Sequence, residues 1–166
     1  MKKQENKKYI TREIEDDTPI PFKYDITSYG ADFDVLGLVE RIKKNDIFVP
    51  NFQRRFIWNK TDASQFVESL LLGLPVPGIF LSKDKKTQKS LIIDGQQRLM
   101  SLYYFYLGYF VNEKDEFKLV NVQRPFLEKK YNTLNQSDRR KLDDSLIHAT
   151  IIEQNKPAND KSSIYF

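Results

Sequence analysis

The stretch Leu91-Ile92-Ile93-Asp94-Gly95-Gln96-Gln97-Arg98-Leu99-Met100-Ser101-Leu102 changes its hydrophobic period within a single turn. Leu91, Ile92 and Ile93 are a continuous apolar run and read as a buried strand. Beyond Gly95 the apolar residues fall at Leu99, Leu102, Tyr103, Tyr106 and Phe110, the i, i+3, i+4, i+7 spacing of one helix face. The chain therefore passes from strand to helix through the tight turn Asp94-Gly95.

Such a turn has chemical consequences. The first turn of a helix has backbone N–H groups without intrahelical partners, and the helix dipole puts its positive end at the same place, which favours an anion. On helical spacing Gln97, Arg98 and Ser101 share a face away from the apolar stripe, so an amide, a guanidinium and a hydroxyl are expected to point together. Arginine's planar fork suits a phosphate, glutamine both donates and accepts, and Asp94 is suited to holding Mg²⁺ or orienting a water. The alternative is structural: Asp94 caps the helix, Gly95 makes the turn, and the remaining polar residues are a solvated face.

The rest of the chain narrows the chemistry. With 166 residues, 40% of them hydrophobic, it is the size of one globular domain with a real core. It has no cysteine, which excludes disulfides, thiolate catalysis and cysteine zinc sites. His148, the only histidine, lies in an alternating apolar segment and is expected to be structural. No apolar run reaches the length of a membrane span, and the lysine-rich N-terminus lacks the apolar core of a signal peptide, so the sequence reads as cytoplasmic with no membrane partner. Of the net charge of +4, residues 1–8 supply four lysines against one glutamate, leaving 23 basic and 22 acidic residues elsewhere. Charge alone does not argue for nucleic acid.

Residues 1–23 are polar, without a lasting period, and read as a flexible basic arm, and the domain is expected over residues 24–166. Val35, Leu36, Leu38, Val39 and Ile42 predict an amphipathic helix capped by Asp32 or Asp34, followed by a short strand at Ile47, Phe48 and Val49. A second helix is expected over residues 60–73, started by Asn59 or Thr61 and ended by Gly73. The runs Ile79-Phe80-Leu81 and Leu91-Ile92-Ile93 should form an antiparallel hairpin. Two short strands are expected at residues 110–111 and 117–120, a polar helix at 137–145, and a strand with Ile147, Ala149 and Ile151 on one face. The chain stops on the apolar Ile164-Tyr165-Phe166, which suggests a piece of a longer polypeptide.

A second chemical segment precedes the hairpin. In Phe52-Gln53-Arg54-Arg55-Phe56-Ile57-Trp58 polar side chains are set between aromatic ones, so guanidinium groups could be presented on an aromatic bed. Trp58 is expected to be a core anchor, as most lone large aromatics are.

Residues 49–58, the Leu74-Pro75-Val76-Pro77-Gly78 connection and the Asp94-Gly95-Gln96-Gln97-Arg98 motif occur together, in one order, and in this combination the chain resembles the N-terminal domain family of GmrSD-type restriction endonucleases. The resemblance implies an α+β fold of ParB/sulfiredoxin type, a small mixed sheet with packed helices. It implies binding of a nucleoside triphosphate, and its hydrolysis in several members, within defence against foreign or modified DNA. By similarity Asp94, Gly95, Gln96, Gln97 and Arg98 form the nucleotide site, with Gln53 and Arg54 facing it. Asp94, Gln97 and Arg98 are the candidate catalytic residues, and Asp94 is the candidate ligand for Mg²⁺. A nuclease region is expected elsewhere in the full chain or in a partner subunit, so cleavage is not assigned here. No Gly-x-x-x-x-Gly-Lys motif is present, so any phosphate site is not a Walker site. The competing reading, a non-catalytic DNA-sensing module, rests on Arg54, Arg55 and the N-terminal lysines contacting a phosphate backbone. A third is that a nucleotide serves only assembly.

Overall fold

The structure is a computed structural model and describes residues 25–50, 55–111 and 115–155. The expected arm and the candidates Gln53 and Arg54 lie outside the described residues. The elements are β1 (Asp25–Asp34), α1 (Val35–Lys43), β2 (Ile47–Phe48), α2 (Lys60–Leu72), β3 (Ile79–Lys83), β4 (Ser90–Asp94), α3 (Gln96–Leu107), a 3₁₀ turn (Tyr131–Thr133), α4 (Gln136–Asp143) and β5 (Leu146–Asn155). The fold is thus α+β, as expected.

The five strands make one mixed sheet in the order β1-β5-β3-β4-β2. β3 and β4 pair antiparallel as the sequence predicts, while β3 with β5 and β2 with β4 are parallel. Parallel neighbours need a crossover, and here the helices supply it. The alternation of β3 and β5 buries Ile79, Leu81, Ile147, Ala149 and Ile151 on one face, and all four helices join them there in a single core. The other face is open: Phe80, between two buried neighbours, is 43% exposed.

Most helix ends follow the expected chemistry. Asp34 rather than Asp32 caps α1, its Oδ1 accepting from the Gly37 N–H at 2.6 Å. Asn59 caps α2, and Gly73, at φ +74°, ends it in the left-handed conformation that glycine adopts without strain.

Three expectations need correction. Residues 110–111 and 117–120 form no strands; the chain there makes only an isolated bridge between Tyr109 and Glu116, because Phe110 and Phe117 turn inward and pack edge-to-face at 5.0 Å instead of alternating. β1 is not among the elements the sequence predicts; its residues Asp25-Ile26-Thr27-Ser28-Tyr29-Gly30 have little apolar alternation, yet it pairs with β5 over its whole length. Finally, the buried face of α3 is Leu99, Leu102 and Phe105, with Ser101 buried beside them. Ser101 therefore leaves the expected polar face, and its hydroxyl donates to the Gln97 carbonyl at 2.7 Å.

His148 is exposed on the open sheet face, paired across the strands with Asp32 at 2.8 Å. This is a surface cross-strand contact, consistent with a structural part.

Candidate functional site at the start of α3

The site is built from the end of a strand. Between β3 and β4 the register shifts, with Leu81 opposite Ile92 but Phe80 opposite Asp94, so Ile93 is an inserted residue. Bulges of this kind bend a strand and re-aim its side chains. No feature of the Leu91-Ile92-Ile93 run announces the shift.

Gly95 makes the turn at φ +94° and is itself buried. A Cβ at this position would lie 2.5 Å from Ile79 Cγ2 and 3.3 Å from Arg98 Nη2, so the absence of a side chain serves both the left-handed backbone and the close approach of the turn to β3. Gly95 is also the N-cap of α3, and among the described residues it leaves the helix without a side-chain cap hydrogen bond. The structural alternative for Asp94 is therefore overturned: its carboxylate does not cap α3.

Asp94 turns instead to Arg98, one turn on, whose Nη2 donates to Asp94 Oδ2 at 2.8 Å. The two side chains differ in setting. Asp94 is 65% exposed and Arg98 only 16%. The guanidinium is thus drawn into the protein, and its buried Nε has no hydrogen-bond partner. A buried, unpaired donor on a permanent cation costs free energy unless something else satisfies it.

Gln97 points another way. Its Oε1 accepts from the backbone N–H groups of Ile57 at 2.9 Å and Trp58 at 3.0 Å, and its Nε2 donates to the Arg55 carbonyl at 3.4 Å. The motif glutamine thereby brings residues 55–58 to the start of α3. Around the junction lies a pocket of about 400 Å³ lined by Ile57, Trp58, Ile93, Asp94, Gly95, Gln96, Gln97 and Arg98. Five of the sequence candidates, Asp94 to Arg98, thus lie together. Arg55 is exposed at the edge of the same segment.

Trp58 combines two roles. It is half-buried and meets Phe66 edge-to-face at 5.9 Å, as a core anchor should, and it also walls the pocket. Ile57, 67% exposed, lines the pocket as well, which its position between aromatic residues does not suggest.

No group of three or more histidine, cysteine, aspartate or glutamate residues able to hold a metal occurs among the described residues. Among the described residues that line the pocket Asp94 supplies the one carboxylate, with Oδ2 paired to Arg98, so it could serve Mg²⁺ only together with other oxygen ligands. Among the described residues no helix is long and apolar enough to cross a membrane.

The model of the GmrSD restriction endonuclease N-terminal domain matches residues 35–165. An uncharacterised protein of Methanocaldococcus jannaschii is 28% identical over 116 residues, covering 55% of this chain and 19% of the relative. The chain thus spans about a fifth of the length of that relative. No solved structure gives a significant match. The chain belongs to the family of the N-terminal domain of GmrSD restriction endonucleases.

Proposed function

We propose that this domain binds a nucleoside triphosphate with its Mg²⁺ at the start of α3 and hydrolyses it, as the nucleotide-dependent part of a restriction or anti-phage defence protein, on a ParB/sulfiredoxin-like fold. One observation carries the reading: the Arg98 guanidinium, only 16% exposed, and the left-handed Gly95 turn that starts α3 line the same pocket. A guanidinium and the positive end of a helix both favour an anion, and together they suit a phosphate better than either does alone.

In this reading Arg98 and the backbone of Gly95, Gln96 and Gln97 hold phosphate oxygens. Asp94 would hold Mg²⁺ through its water shell, and the ion would supply neutralisation of phosphate charge; Asp94 is also placed to take a proton from the attacking water. Asp94 pairs with Arg98, so the carboxylate also orients the guanidinium that holds phosphate. Water positioning belongs to Gln97 or Gln53; the Gln97 carboxamide already holds residues 55–58, and Gln53 lies outside the described residues. A nuclease region would lie elsewhere in the full-length protein or in a partner subunit.

The DNA-sensing alternative keeps one supporting observation, the exposure of Arg55. Titration of the purified protein with the four nucleoside triphosphates, with and without Mg²⁺, separates the readings. Saturable Mg²⁺-dependent binding followed by phosphate release supports the proposal; binding of duplex DNA with no triphosphate binding would replace it with the alternative. Binding without release would reduce the nucleotide to an assembly factor.

A further inference from the structure

Three hydrogen bonds of Gln97 join residues 55–58 to α3, and they involve almost everything a carboxamide can offer. Two consecutive N–H groups converge on Oε1, an arrangement in which neighbouring backbone donors grip a single oxygen. The grip lies just upstream of Asn59, the cap of α2. Residues 55–58 themselves belong to no helix or strand, so no backbone ladder holds them. Beyond the glutamine they are fastened by ring contacts, Phe56 with Tyr104 and Phe110 at 5.3 and 5.8 Å, and Trp58 with Phe66. Ring packing is tolerant of small rotations, whereas a bifurcated acceptor fixes position and direction.

We propose that Gln97 is a positioning residue: its carboxamide latches residues 55–58 onto the first turn of α3, and the Ile57–Trp58 wall of the pocket is in place only while that latch is closed. This deepens the proposed function, since the ligand whose binding the latch controls is the Mg²⁺–triphosphate of that reading. A ligand that uses the Ile57–Trp58 wall must then favour the latched form, and the latch and the ligand stabilise each other. Gln97 acts through the segment it holds, so its loss should weaken binding more than it slows a bound, saturated site.

Trp58 is the only tryptophan, so fluorescence excited selectively at tryptophan, beyond the absorption of the nine tyrosines, reports on the latched segment. Acrylamide quenching of the ligand-free protein is compared among the parent, Gln97→Met and Gln97→Glu. The methionine variant keeps the length and loses the hydrogen bonds; glutamate keeps the acceptor for both N–H groups. Gln97→Met is expected to show stronger quenching and a red-shifted emission with a nearly unchanged melting temperature, and Gln97→Glu is expected to keep the parent spectrum. With Mg²⁺–ATP and Mg²⁺–GTP as probes, affinity should fall about tenfold in Gln97→Met, the equivalent of one or two lost hydrogen bonds, while phosphate release at saturation changes far less. Unchanged quenching in Gln97→Met would overturn the latch, and so would unchanged affinity with abolished turnover, which would put the glutamine in the chemistry. If the parent binds neither nucleotide, the proposed function fails, and the ligand-free quenching still decides whether the latch exists.

Discussion

The two ends of α3 carry similar polar groups and treat them differently. At the C-terminal end Tyr106 stacks on Tyr131 at 4.1 Å, and both hydroxyls donate to Asp143, at 2.6 and 3.0 Å. The helix closes on Gly108, whose N–H reaches the carbonyls of Tyr104 and Phe105. At the N-terminal end the cap is a glycine with no side-chain cap bond among the described residues, Asp94 is mostly exposed, and the Arg98 Nε is buried without a partner. A buried donor without a partner is not what separates the ends, since Arg139 Nε, with its guanidinium over the Tyr131 ring, is also unpartnered. The difference is that the Gly95 turn and Arg98 line a pocket, whereas the Tyr106–Tyr131–Asp143 cluster is closed by its own hydrogen bonds.

The comparison can be broken most severely at the turn. Gly95→Ala meets both a left-handed φ of +94° and the Ile79 side chain, and should destabilise the domain by about 3 kcal/mol in denaturant melts. Little loss would mean that the turn can relax and that the site is less rigid than its geometry implies. For Asp94→Asn, which keeps the shape and removes the charge, phosphate release at saturating nucleotide should drop by about a hundredfold with a much smaller change in affinity. Equal turnover would leave Asp94 only its pairing with Arg98. Trp58→Ala should cost about 2 kcal/mol of stability, less than a fully buried tryptophan because the side chain is only partly buried against the core; a mutant that melts like the parent would show that Trp58 is purely a pocket wall.

The closed end offers the smallest effect and a pH test. Burial first, and then the Asp143 carboxylate, raise both phenols, Tyr131 to about 12 and Tyr106 well above the ordinary value of 10.0. A raised folded-state value means stabilisation that is fully present below pH 10 and lost as the pH climbs through about 12. Tyr131→Phe should therefore be destabilised by about 1 kcal/mol at neutral pH and show a shallower decline over that interval, followed as the denaturation midpoint against pH. An equally steep decline would assign the alkaline loss to other groups.

What the sequence made legible follows the physics of each element. The hairpin, α1, α2, α4 and the turn into α3 were readable because period, caps and glycines all act locally, as with Asn59 and Gly73 at the ends of α2. β1 was not, because a strand such as Asp25–Asp34 has its alternation set by its partner β5 rather than by its own residues. In the site, the clustering of Asp94 to Arg98 was legible from the motif. The contact of Gln97 with Ile57 and Trp58 spans about 40 positions, and no local pattern encodes such a contact. Ser101 was misplaced because helical spacing locates a residue around the axis but does not say how wide the buried face is.

The central claim is that Arg98 is held ready for phosphate, and calorimetric titration of parent and Arg98→Ala with Mg²⁺–ATP and Mg²⁺–GTP tests it most directly. A charge-assisted hydrogen bond to phosphate is worth roughly 1.5–3 kcal/mol, so the parent should bind with a dissociation constant at least about tenfold lower than the mutant, both proteins melting alike. The same dissociation constant for a folded Arg98→Ala would show that the buried guanidinium serves Asp94 alone, and would contradict the account.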